Sequence, residues 1–264
     1  MPNTGLSGQR VVDARILEVR GVGQSIGPDD VFSMRIQADL GEWTPGQFVM
    51  VRPPGFGLET PWARPFSICD GDASGIRLLV QAVGRGTREL SRLQAGDRIT
   101  VWGPLGRSFQ VEDEAVLLAG GVGVAPFFGY VKRHPTPSGL RMLFAHRPPG
   151  ERYLIDELEG LIPVERVEER APSDIPAIAE RVRRAVAEAG VRLVLACGPT
   201  PFLKTVQSAA LSCKARAQLS LENRMACGVG ACLGCVVRKV SGPPTRTCVE
   251  GPVFWADEVD LEES

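Results

Sequence analysis

Between residues 11 and 110, apolar and polar positions alternate over short runs that are closed by Gly or Pro. The segments VVDARILEV, VFSMRIQAD, GQFVMVRP, RPFSICD, GIRLLVQAV and DRITVWGP read as six strands, at the spacing of an antiparallel barrel or sandwich. Arg88 to Gln94 (RELSRLQ), followed by Gly96, predicts a short helix between the last two. After about Gln110 the rhythm lengthens. AVLLA, RMLFAHR, VERVEE and VRLVLAC are strands separated by helical stretches FFGYVKRH, ERYLIDELEG and the amphipathic IPAIAERVRRAVAEAG, with PFLKTVQSAALS as a further helix. This alternation predicts a doubly wound parallel sheet, which binds ligands at the carboxyl ends of its strands.

From about Ala217 the chain is dense in Gly and Cys and shows little periodicity until VVRKV. It has too few apolar residues for a core of its own, so a bound metal group would have to supply its order. The expected fold class is therefore β + α/β: a six-stranded antiparallel barrel over residues 1–110, an α/β unit over 111–216 and a cysteine-rich segment over 217–264. A length of 264 residues fits about two domains and such an appendage.

Composition narrows the function. Thirty basic against thirty-one acidic side chains leave a net charge of −1, so nucleic acid is a poor partner. Thirty glycines and twenty-one prolines fit short strands and tight turns. The uncharged run Ala115 to Val131 is slightly short for a membrane span and is broken by Gly120, Gly121, Gly123 and Pro126. It reads as strand, glycine turn and helix, so no integral membrane segment is expected. The first twenty residues lack the apolar stretch of an export signal, and seven cysteines make an odd count, which together point to the reducing cytoplasm.

Four of those cysteines carry the chemistry. Cys227-x4-Cys232-x2-Cys235, then Cys248 after twelve residues, has the spacing of a plant-type 2Fe–2S site. Three thiolates from one tight loop and a fourth from farther along can converge on two irons. Gly228, Gly230 and Gly234 let the loop curl and bring amide groups to the sulfurs. Structural zinc and plain buried thiols are the alternatives, and the spacing fits neither well. Cys69 and Cys213 read as packing or surface thiols. Cys197, in the turn ACGPTPF, is either a buried hydrophobe or a neighbour of a bound nicotinamide. Two histidines are too few for a metal site, and His134 reads as a surface residue at a helix end.

The turn Gly120-Gly121-Val122-Gly123-Val124-Ala125-Pro126 stands between strand and helix, where backbone amides hold a pyrophosphate. Its last position is Pro126 rather than glycine, and RMLFAHR ends in His146 and Arg147 without the usual ribose-binding acid. A turn that merely packs a helix on a sheet reads the same. Arg147 fits either a 2′-phosphate or plain solvent, which leaves NAD and NADP both open.

The order of Arg64-Pro65-Phe66-Ser67-Ile68, Gly84-Arg85-Gly86-Thr87, GGVGVAP and Cys197-Gly198-Pro199 is similar to the ferredoxin–NADP+ reductase superfamily. With SLENRMACGVGACLGC and CVEGPVF added, nearly the whole chain resembles the electron-transfer subunits of NAD-dependent, class 1B dihydroorotate dehydrogenases. The resemblance implies FAD contacts at Arg64, Pro65, Phe66, Ser67, Leu79, Val80 and Gln81, with Gly86 and Thr87 at a phosphate. It implies NAD near Gly121, Gly123, Cys197 and Gly198, and a 2Fe–2S cluster on Cys227, Cys232, Cys235 and Cys248. The partner it implies is an FMN-containing dihydroorotate dehydrogenase catalytic subunit, two copies of each chain forming a heterotetramer in pyrimidine biosynthesis. Related subunits serve sulfhydrogenases, sulfite reductases and electron-bifurcating ferredoxin reductases, which barrel and nucleotide motifs alone do not separate.

Overall fold

The computed structural model describes residues 9–21 and 30–262, so residues 1–8, part of the stretch read for an export signal, lie outside it. Six strands close the N-terminal barrel: β1 (Arg10–Gly21), β2 (Val31–Gln37), β3 (Phe48–Arg52), β4 (Arg64–Asp72), β5 (Gly75–Gln81) and β6 (Arg98–Leu105). Their order is β1-β2-β5-β4-β3-β6, with antiparallel neighbours throughout. The period of two decides what fills it. Phe32, Met34 and Ile36 of β2 stand opposite Val80, Leu78 and Ile76 of β5, and all six point into the barrel core. Helix α1 (Arg85–Leu90) begins ahead of the expected Arg88, because the Gly84 amide donates to Thr87 Oγ1 at 3.0 Å and closes the first turn early.

The second sheet is built from β7 (Ala115–Gly120), β8 (Leu140–His146), β9 (Val164–Glu168), β10 (Leu193–Cys197), β11 (Ala217–Ser220) and β14 (Val253–Trp255), while β12 (Val236–Val237) and β13 (Thr245–Arg246) pair with each other. It runs β14-β11-β10-β7-β8-β9, parallel except for β14. The helices are α2 (Ala125–Arg133), α3 (Ile155–Glu159), α4 (Ile175–Ala187) and α5 (Thr200–Cys213). Alternate residues of β7 feed opposite layers: Leu117 packs with Phe127 and Tyr130 of α2, whereas Val116 and Leu118 pack with Val182 of α4 and Leu203 of α5. Each fully buried side chain of this size contributes about 1.5–3 kcal/mol.

Three features depart from the sequence reading. Residues 217–220 and 253–255 join the second sheet, so the sheet does not stop at the expected boundary after 216. The helix expected over 151–160 is divided into a 3-10 turn and α3 by Leu154, whose left-handed backbone (φ 58°) breaks the helical ladder. His134 does end its helix but is buried: its Nδ1 accepts from the Thr136 amide at 3.1 Å, so Nε2 is the protonated nitrogen and donates to the Glu112 carbonyl at 3.0 Å.

Helix α2 joins the two units. Its Phe127 and Tyr130 share a core with Cys69 and Leu79 of the barrel, and Gly129 brings the helix so close that a Cβ there would lie 2.7 Å from Trp43. Arg133 stacks on Trp43 at 3.9 Å, adding a cation–π contact to the seam. Ala115 to Val131 is thus strand, turn and buried helix. No helix among the described residues is long and apolar enough to cross a membrane.

Candidate functional site

From β7 the chain moves to β8 on one side, whereas β10 enters on the other, which puts a topological switch at the carboxyl ends of β7 and β10. Two turns meet there. A Cβ on Gly123 would stand 2.3 Å from the Cys197 carbonyl oxygen, and one on Gly198 would stand 3.0 Å from Gly120 Cα. The turns therefore touch backbone to backbone, an approach only glycine allows. Pro126, which replaces the last glycine of the dinucleotide pattern, sits in the first turn of α2, where its missing N–H leaves no bond unmade.

A cleft of about 370 Å³ opens between these turns and the barrel. Pro65, Phe66 and Ser67 of β4, Leu79 and Gln81 of β5, and Thr87 of α1 form its barrel side; Gly123, Cys197 and residues 220–223 face them. Val80 is not among them, because strand alternation turns its side chain into the barrel core. Arg64 lies beside α1: a Cβ on Gly86 would touch its Nε at 2.9 Å. The guanidinium is held by the Trp62 carbonyl at 2.6 Å and the Phe56 ring at 5.4 Å. Thr87 Oγ1 donates to the Gly84 carbonyl at 3.1 Å, so its proton is committed to the turn. Arg64, Gly86 and Thr87 are thus brought together at the start of α1. Burial, reinforced by the Glu222 charge and opposed by Ser220, pushes the Cys197 thiol up to about 12, so it is neutral at ordinary pH.

A second pocket of about 400 Å³ adjoins the first along the ends of β7 and β8. Gly121, His146, Arg147 and Phe202 line it, while Gly198 packs behind it against Gly120. His146 is 3% exposed and stacked on Phe144 at 4.6 Å, and its buried Nε2 has no hydrogen-bond partner among the described residues. Gln81, Val122 and Glu222 belong to both cavities, so the two share a wall. Glu222 opens onto the cleft yet is hemmed in by its walls, and loss of hydration raises its pKa. Sequence reasoning missed Glu222. The signal was its position just beyond β11, the same strand-end rule that picked out the other turns.

The four clustered cysteines lie beside the cleft, against β3 and β6 of the barrel. Cys235 and Cys248 pack with Phe48, Met50 and Leu105, and Trp102 Nε1 donates to the Cys227 carbonyl at 3.2 Å. The thiols fall into two neighbouring pairs, Cys227 with Cys232 and Cys235 with Cys248. Amides of Val229 and Gly234 point at the Cys227 and Cys232 sulfurs, both at 3.4 Å. Burial raises Cys227, but donors from Val229, Cys232 and Ala231 outweigh it and bring the thiol down to about 7. Cys248 is pushed up to about 12 by burial and by Cys235. Gly228 and Gly230 take left-handed backbone (φ 73° and 81°), and a Cβ on Gly228 would stand 2.5 Å from Met50. Arg246 braces the loop from outside, donating to the Gly230 carbonyl at 3.3 Å and to Glu250 at 2.6 Å. Among the described residues no three His, Cys, Asp or Glu side chains gather about one ion. Two thiol pairs with amides aimed at sulfur are instead the donor set of a centre with two irons, so these residues fit the cluster that their spacing predicts.

Barrel, switch-point sheet and cysteine loop define the protein's class: a flavin-dependent, NAD(P)-linked reductase of the ferredoxin–NADP reductase fold, carrying an iron–sulfur domain. The solved structure of an NADH-dependent reduced ferredoxin-NADP oxidoreductase matches at TM-score 0.78 and 27% identity, over 96% of this chain and 91% of that one. A ferredoxin NADP+ reductase from Neisseria gonorrhoeae, solved with FAD and NADP, shares the fold at TM-score 0.60 and 16% identity, over 80% and 99% of the two chains. Residues 222–260 match the iron-sulfur cluster binding domain of dihydroorotate dehydrogenase B. The electron transfer subunit of dihydroorotate dehydrogenase B (NAD(+)) from Caldanaerobacter subterraneus is 35% identical over 252 residues, covering 93% of this chain and 97% of the relative. The chain belongs to the family of these electron transfer subunits.

Proposed function

We propose that the protein carries electrons from a dihydroorotate dehydrogenase catalytic subunit to NAD+, with FAD in the barrel-side cleft, the nicotinamide nucleotide in the adjoining pocket and a 2Fe–2S cluster on the cysteine loop. The observation that carries this reading is adjacency. The cleft shares Gln81, Val122 and Glu222 with the nucleotide pocket, and Met225 both lines the cleft and packs against the Cys235 and Cys248 group. Flavin supplies the chemistry that joins the two neighbours, because it exchanges hydride pairs with nicotinamide and single electrons with a cluster.

The chain's own residues bind, orient and insulate. Ser67 presents a hydroxyl to the flavin ring from β4, beside Pro65 and Phe66, while Leu79 and Gln81 contact it from β5; Val80 contributes backbone alone. Arg64 offers a fork of donors to the phosphates beside Gly86 and Thr87. Gly121, Gly123, Cys197 and Gly198 let the nicotinamide approach, and the neutral Cys197 thiol sits there as a small, unreactive neighbour. Cys227 and Cys232 would hold one iron, Cys235 and Cys248 the other. The partner in this reading carries FMN, assembles two-plus-two with this chain in the cytoplasm, and oxidises dihydroorotate in pyrimidine biosynthesis.

Protein purified without oxygen is expected to show flavin and iron–sulfur absorption, with about one FAD and two irons per chain. Colourless protein holding zinc alone would overturn the reading. Recovery with a hydrogenase or sulfite reductase subunit, in place of an FMN-bearing dihydroorotate oxidase, would redirect it to another complex.

Docking belongs at the cysteine loop, where Leu233 (62% exposed), Val229 and Val236 surround the exposed Cys232. An apolar rim there lets a partner exclude water from the cluster. Leu233 has left-handed backbone (φ 56°), which aspartate tolerates better than most residues. Leu233→Asp is expected to weaken co-purification with the catalytic subunit roughly tenfold or more while keeping both chromophores. Undiminished recovery of the complex would place the docking face elsewhere.

A further inference from the structure

The sequence shows no acid at the end of the second sheet strand, where dinucleotide folds place the carboxylate that reads the adenosine ribose. The structure supplies one from the neighbouring strand. β9 runs parallel to β8 with Glu168 opposite His146, and Glu169, the next residue, donates its amide to the His146 carbonyl at 2.8 Å. This fixes Glu169 beside Arg147. Its Oε1 accepts from Arg147 Nε at 3.1 Å and from Nη2 at 2.9 Å, which leaves Oε2 outside the pair. Both residues line the 400 Å³ pocket, the glutamate side chain 24% exposed and the arginine 76%. Ion pairs this open to water add little to folding, so stability does not account for the arrangement.

We propose that Glu169 makes this pocket select a free ribose 2′-hydroxyl over a 2′-phosphate. The inference rests on reading the cavity as the nicotinamide nucleotide site. A carboxylate accepts a hydrogen bond from a hydroxyl, whereas a phosphate has no proton to give at neutral pH and meets a like charge. Arg147, the cation that would otherwise welcome a 2′-phosphate, is held by the same glutamate. Discrimination is then written in one carboxylate that repels the wrong ligand and occupies its partner.

The test uses the flavin- and cluster-loaded protein, with 5′-AMP and 2′-phospho-AMP as probes in titration calorimetry. Wild type is expected to favour 5′-AMP. Glu169→Gln keeps the size and removes the charge, and is expected to shift the affinity ratio toward 2′-phospho-AMP by about tenfold or more. Adding Arg147→Ala to Glu169→Gln should abolish that gain, and kcat/KM for NADH and NADPH should move in the same directions. Retained flavin absorption reports that each variant is folded. A ratio that stays within about twofold in Glu169→Gln, with both probes binding, overturns the assignment and leaves the nucleotide pocket standing. Wild type that binds neither probe, and no NADH, overturns the pocket reading and this inference together.

Discussion

Cys232→Ser protein is expected to purify with its flavin and without iron–sulfur absorption. In complex with the catalytic subunit it should reduce NAD+ from dihydroorotate at least ~100-fold more slowly, since a cluster left with three thiolates and a hydroxyl is held weakly. NADH oxidation by an artificial acceptor that takes electrons from the flavin should stay within about twofold of wild type. Cys232 is the informative choice among the four. It is exposed, and its sulfur meets the Gly234 amide and the Cys227 thiol, so little packing is lost with it. Cys235 and Cys248 are buried against Phe48 and Leu105, and serine at either would leave a polar group in an apolar contact and blur the result. Unchanged coupled activity in Cys232→Ser would count against electron flow through the cysteine loop.

The split between the two activities follows from where the sites sit. The proposed nucleotide pocket and the cleft adjoin along Gln81, Val122 and Glu222, on the sheet side of the barrel. The cysteine loop reaches the same cleft by way of Met225, beside Phe48. Removing one approach leaves the other intact.

Much of this was legible in the sequence, for identifiable reasons. Six barrel strands were readable because apolar and polar positions alternate in short runs closed by Gly or Pro, and the first four parallel strands because they stand as short strand-like runs between helical stretches. β11 and β14 were not. AQLS and VFW are too short to show a period, and their partners lie across the sheet rather than along the chain. Missing β11 concealed Glu222, which lies just beyond it. Glu169 is hidden for a related reason: RMLFAHR itself ends without an acid, while the pairing of β8 with β9 brings one from more than twenty residues on. The resemblance implies Val80 together with Leu79 and Gln81, although period-two geometry sends the Val80 side chain to the opposite face. Short-range pattern reveals an element's type and its faces. It does not reveal which side chains from distant elements meet.

Gly123→Ala is expected to have the second large effect, at a position with no reactive group. A Cβ there would stand 2.3 Å from the Cys197 oxygen, 2.5 Å from its carbonyl carbon and 2.7 Å from the Gly198 nitrogen. All three are backbone atoms, so no side chain can swing away. The turns cannot simply part, because β7 and β10 are paired up to Ala119 and Cys197, directly beneath them. Overpacking of this kind costs about 1–3 kcal/mol, enough to lower Tm by several degrees. The loss of hydride transfer should be larger in proportion, about 100-fold, since a shift near 1 Å in one wall of the flavin cleft misaligns reacting atoms. Gly190→Ala serves as the comparison: Gly190 has left-handed backbone (φ 64°), which Gly123 does not, and open space around it, beyond α4 and outside both cavities. That variant should lose about 1–2 kcal/mol from backbone strain and keep its activity. Equal activity losses in the two variants would mean that Gly123 matters for stability alone; a loss confined to Gly123→Ala would show that contact between the two turns holds the flavin and the nucleotide in register.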